Sequence, residues 1–233
     1  MAEFIGITDR PPDTSVVERH ALAPALIAGS LAALRFAAPA VGADRRVAAV
    51  LELRRDIPRL VPLAQAALDG GAMRAIMMRY EALFRSDLSR LTGLSEIVVS
   101  LSYPAPPRPE ERARSGLRYL RDRAAYHRAT QSLARRAFDH LAGLADVAGQ
   151  TAEGQHIAPF TPAQGPRVGA DLALLVPDAR LGALHGALAR HAARRIPREA
   201  GAVCHLTGPF PPFSFVTPLT GEDTGHAVRD TGT

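Results

Sequence analysis

Residues 208–216 read Gly208-Pro209-Phe210-Pro211-Pro212-Phe213-Ser214-Phe215-Val216, and this run restricts the fold more than any other segment. It holds three of the eight phenylalanines and three of the nineteen prolines. Proline has no backbone N–H to donate and a fixed φ, so the run cannot continue a helix or sit within a sheet ladder. It is predicted to cross a surface in extended form. Phe210, Phe213 and Phe215 must then be docked, because large apolar rings are rarely left in water. Two readings follow: a C-terminal strap packed on the protein's own core, or a partner-binding edge.

The remainder supplies enough apolar surface for one large domain or two modest ones, with 47% hydrophobic residues in 233. The formal charge is +5, and every basic residue is arginine. The arginines are spread over several segments among 23 acids, which favours solvated faces over a nucleic-acid footprint. Cys204 is the single cysteine, so no intrachain disulfide forms, and a reducing compartment is implied. The start of the chain has no basic n-region. The apolar run at 21–34 is too short to span a bilayer and contains Pro24 and Gly29, so no membrane association is expected.

Along the chain, 4–7 reads as a short strand, and for 47–53 helix and strand both remain open. A helix is predicted over 72–91, with Met73, Ile76, Met77, Tyr80, Leu83, Phe84, Leu88 and Leu91 on one stripe, Asp69 as its cap and Gly93 as its left-handed terminator. Strict alternation then gives a strand through Ile97, Val99, Leu101 and Tyr103. After the prolines of 104–109, Glu110 and Glu111 favour the start of a long helix. It is predicted to bury Leu117, Leu120, Leu133, Ala137, Leu141 and Leu144. A short strand at 155–158, a doubly buried strand at 171–176, a helix burying Leu181, Leu184 and Leu188, and a strand at 202–207 complete the series. Strand, helix, strand, strand, helix, strand is the split βαβ, ferredoxin-like order. The expectation is an α+β protein of two domains: 1–93, then a ferredoxin-like 94–217 carrying the strap, with 218–233 as a flexible tail.

The run at 208–216 resembles the C-terminal signature of the gas vesicle accessory proteins GvpL and GvpF, with phenylalanine at two ring positions where that family usually has Trp and Tyr. Similar stretches precede it: Phe4-Ile5-Gly6-Ile7-Thr8-Asp9, Val61-Pro62-Leu63 with Asp69-Gly70-Gly71, Leu91-Thr92-Gly93-Leu94-Ser95-Glu96-Ile97, Gly116-Leu117-Arg118-Tyr119-Leu120 and Leu174-Leu175-Val176-Pro177. The likeness spans 4–216 and departs at 64–68, which lacks the usual Arg-Phe-Gly. It implies a two-domain α+β architecture with a modified ferredoxin-like C-terminal half. It further implies a non-enzymatic role in gas vesicle assembly within the cytoplasm, with the major shell protein and other accessory proteins as partners.

Catalytic patterns are sparse. Without lysine there is no P-loop and no lysine Schiff base, and no Gly-x-Ser-x-Gly elbow occurs. Cys204 and His205 are adjacent in a predicted strand and so face opposite ways, which reads as a buried structural thiol rather than a nucleophile pair. No His-Glu-x-x-His occurs, and His185 and His191 lie nearly opposite each other on one helix, so no metal site is expected. The two central strands lack the aromatic platform on which an RRM stacks bases, so no nucleic acid is expected as partner. No cofactor is expected. The candidate partner-binding residues are Phe210, Phe213 and Phe215 of the strap and Met73, Met77 and Tyr80 of the first helix stripe. The competing reading is a ferredoxin-like regulatory module that binds a small ligand or oligomerises through its sheet.

Overall fold

A computed structural model describes residues 2–37, 43–63, 67–109, 116–149, 151–160, 166–195 and 201–219. The chain forms two compact units, one of residues 1–95 with 210–233 and one of 96–209.

In the first unit the central strand is β1 (Ala2–Thr8), flanked by β3 (Leu31–Arg35) and β4 (Leu60–Pro62), both antiparallel. The strand β2 (Leu26–Ala28) pairs with β3, and β5 (Ala67–Leu68) pairs with the start of β1. The apolar run at 21–34 is thus mostly a hairpin, turned at Gly29, where φ is +59°. A register shift between Phe4 and Gly6 resets the alternation of β1. Phe4 and Ile7 therefore serve one core while Ile5 serves another.

The first core is closed by α3 (Gly70–Arg79) and α4 (Glu81–Arg90) through Met73, Met77, Phe84 and Leu88. The second is closed by α2 (Ala43–Asp56) through Val50 and Leu53, with partial cover from Val16 and Val17 of α1 (Thr14–Arg19). The ambiguous stretch at 47–53 is therefore helical. Asp69 caps α3 as expected, accepting a hydrogen bond from the Ala72 N–H at 2.9 Å. Gly93 is left-handed at φ +72°. The single helix expected over 72–91 is two: Tyr80, at φ −111° and ψ 23°, interrupts it and lets α3 and α4 both reach the same core.

The second unit carries β6 (Leu94–Pro104), α5 (Gly116–Ala148), β7 (Gly154–Phe160), β8 (Arg167–Pro177), α6 (Leu181–Arg195) and β9 (Val203–Phe210). The sheet order is β7-β8-β6-β9. This is the 2-3-1-4 arrangement of a split βαβ unit, as the element order predicts. Ile97, Val99 and Leu101 of β6 and Leu172, Leu174 and Val176 of β8 pack against Ala137, Leu141 and Leu144 of α5 and Leu184 and Leu188 of α6. At one point β8 comes so close to β6 that only glycine fits: a Cβ on Gly169 would lie 2.1 Å from the Leu101 carbonyl oxygen.

Three expectations change here. Leu117 and Leu120 are 63% and 61% exposed, because α5 buries nothing before Thr130. Pro209 lies within β9, which tolerates a residue with no N–H because β9 is an edge strand. The strap belongs to the first unit, not to the ferredoxin-like one, because its contacts from Phe210 onward are made there. The expected helix start at Glu110 and Glu111 and the tail beyond Leu219 lie outside the described residues.

Candidate functional site

The strap begins as β9 ends. Gly208 has φ +123°, a backbone setting that side-chain-bearing residues rarely adopt. Phe210 is half-buried, Pro211 and Pro212 are buried, and Phe213–Phe215 form one 3-10 turn. Phe213 packs partly against the cluster of Ile5, Leu22, Leu34, Val50 and Leu53. Val216 and Leu219 pack against the other cluster, that of Phe4, Ile7, Met73 and Met77. The strap therefore reaches both cores of the first unit; of its three rings Phe213 packs against one of them, and Phe210 and Phe215 are half-buried.

Polar contacts fix it. The buried Asp87 of α4 accepts hydrogen bonds from the Thr217 N–H and the Thr217 hydroxyl, each at 2.8 Å. Arg90, one turn on, pairs with Asp87 at 2.6 Å and also donates to the Phe215 carbonyl at 2.6 Å. Three donors thus satisfy one buried carboxylate, which is the condition for burying a charge at all. Sequence patterning does not single out Asp87, Arg90 or Thr217. One signal was present: Asp87 lies three residues after Phe84 and four before Leu91, so it is an acid on the apolar stripe itself.

The expected helix residues are placed differently. Met73 and Met77 are 2% and 0% exposed, filling the core under the sheet, so neither offers a surface to a partner. Tyr80 is half-buried at the break between α3 and α4, with the Arg79 guanidinium 5.4 Å from its ring centroid. Among the described residues the exposed methionine is Met78, at 64%.

Cys204 is also a correction, being exposed rather than buried. It shares a face with Ala202 and Leu206, which do touch the core, but at the sheet edge that face is incompletely covered. Partial desolvation around the sulfur raises the thiol pKa. That disfavours the thiolate a nucleophile needs. Among the described residues no group of three or more His, Cys, Asp or Glu side chains could hold a metal ion. No helix among them is long and apolar enough to cross a membrane.

A cleft of about 560 Å³ in the first unit is lined by Thr8, Asp9, Asp13, Asp56, Arg59 and Thr92, among others. Two of its acids are already engaged: Asp9 with Arg59 at 2.7 Å, and Asp56 with Arg19 at 2.6 Å and His20 at 2.8 Å. Hydrogen bonds from His20 and then Arg19 hold the Asp56 carboxyl below the usual carboxylate range.

The chain has solved structural counterparts. The crystal structure of gas vesicle protein GvpF from Microcystis aeruginosa matches with a TM-score of 0.61 at 10% identity, over 93% of this chain and 98% of that one. That of GvpF from Anabaena sp. PCC7120 matches with a TM-score of 0.58 at 13% identity, over 94% and 100%. The fold is therefore the GvpF fold. The family model for gas vesicle synthesis protein GvpL/GvpF matches residues 61–217, more than half of the chain, so the chain belongs to the GvpL/GvpF family. No curated protein matches it by sequence.

Proposed function

We propose that this protein is an accessory factor in gas vesicle assembly, acting by binding the hydrophobic major shell protein and other vesicle accessory proteins rather than by catalysis. The observation that carries the reading is the family match, which ends at Thr217, the residue Asp87 holds in place. Supporting it, desolvation shifts the Cys204 thiol away from the thiolate that a nucleophile needs. Shell subunits expose apolar surface before they assemble, and a soluble adaptor that contacts them shields that surface.

The test is expression of a complete gas vesicle gene set with and without this chain, scored for buoyant cells and pressure-collapsible light scattering. Loss of both without the chain, and their return on complementation, supports the role. Normal vesicles in its absence, with no second family member present, refute it.

A further inference from the structure

The helix α5 has 33 residues and so runs about 50 Å, whereas the 11-residue strands it covers span about 36 Å. Its buried positions are Thr130, Ala137, Leu141, Leu144, Ala145 and Ala148. The preceding 14 residues, roughly four turns, bury no side chain.

Leu117 and Leu120, one turn apart, are two of the most exposed large apolar side chains among the described residues. The core-facing stripe of α5 continues upward through Thr130, Tyr126 and Tyr119. At 3.6 residues per turn, Leu117, Leu120 and Ala124 form a second stripe about 130° away round the axis. The leucines cannot turn toward the sheet without unseating Ala137 and Leu141.

Charge on this arm is one-sided. Arg121 and Arg128 flank the leucine stripe on one side and Arg123 on the other. All three are exposed, and none forms an ion pair among the described residues. The one acid of the arm, Asp122, lies on the opposite face within 3.9 Å of Arg118. Pairing two such arms would set arginine against arginine, which disfavours a second copy of this chain as the occupant.

We propose that residues 116–129 form a docking arm for a partner helix that presents an apolar stripe flanked by acidic side chains. Leucines fill the contact and the three arginines set charge complementarity, the usual division of labour when one amphipathic helix recognises another. This goes beyond the assembly role above: it names a surface and the chemistry it accepts, whichever protein carries the helix.

The experiment is fluorescence anisotropy on the full chain with two synthetic helical peptides that share a leucine stripe, one flanked by glutamate and one by lysine. The glutamate peptide is expected to bind at least about tenfold more tightly, and its advantage to shrink as salt rises. Leu117→Ser/Leu120→Ser and, separately, Arg121→Gln/Arg128→Gln are each expected to weaken it about tenfold with unchanged thermal melting, since all four residues are exposed. Several results would overturn the proposal: equal or absent binding of the two peptides, binding indifferent to both variants, phosphatidylglycerol vesicles competing for the same leucines, or sedimentation showing a dimer that the leucine variant dissolves.

Discussion

The Asp87 carboxylate and Thr217, 130 residues apart in sequence, are joined by two hydrogen bonds of 2.8 Å, one from the Thr217 backbone N–H and one from its hydroxyl. Asp87→Ala should destabilise the protein by about 1.5–3 kcal/mol, the range for hydrogen bonds to a charged group. Thr217→Val, which keeps the N–H bond, should cost about 1 kcal/mol. Urea unfolding measures both. Equal costs for the two variants would show that the hydroxyl carries the whole contact.

Phe213 is half-buried against the second core of the first unit, so Phe213→Ala should cost about 1.5 kcal/mol, the lower end for burying such a ring. If the ring's role is internal, vesicle yield should follow the loss in melting temperature and recover at lower growth temperature. A yield that collapses with melting unchanged would make the ring a partner contact instead.

Two glycines predict opposite signs. A Cβ on Gly169 would lie 2.1 Å from the Leu101 carbonyl oxygen and 2.8 Å from the Ser102 Cα, both backbone atoms of a central strand. Gly169→Ala should therefore cost at least about 3 kcal/mol, the upper end for overpacking. Nothing lies within 4 Å of a Cβ on Gly143, which sits inside α5 a little over one turn before its end. Gly143→Ala should raise stability by up to about 1 kcal/mol through helix propensity. Thermal melts of the pair suffice.

Asp56 carries a pH signature. Hydrogen bonds from His20 and Arg19 lower its pKa in the folded state, so its stabilisation is present above the ordinary carboxylate range and lost as pH falls through the folded value. Asp56→Asn should be less stable than the parent at neutral pH, and the gap should close on acidification. Glu81 behaves alike, its pKa lowered by the Ser30 hydroxyl and then Arg85. Urea midpoints across an acid series check the sign. A gap that stays constant over that series would rule the ion pair out as its source.

Cys204 is exposed, yet desolvation raises its thiol pKa. A maleimide should therefore label the folded protein to completion but slowly at neutral pH, and faster as pH rises. Cys204→Ser should leave melting unchanged. Rapid labelling at neutral pH would contradict the raised pKa.

The ferredoxin-like unit was largely legible because each element carries its own period and its stop signals are prolines and glycines. What failed was whatever depends on distant chain. Leu117 and Leu120 read as buried because helical periodicity is the same on and off the sheet; nothing local reveals that α5 outruns its support. Alternation assigned Cys204 to the correct face, but only pairing order makes β9 an edge. The break at Tyr80 has no glycine or proline to announce it. The strap's docking on α4 depends on Asp87 and Thr217, whose separation no local pattern can bridge.

That long reach has a consequence during synthesis. The first unit joins residues up to 95 with residues from 210 onward, so its sheet and helices emerge from the ribosome well before Phe213, Val216 and Thr217 arrive to finish the packing. Until those residues have been made, Asp87 has only Arg90 to answer its charge, and the nascent unit waits, incomplete, for its strap.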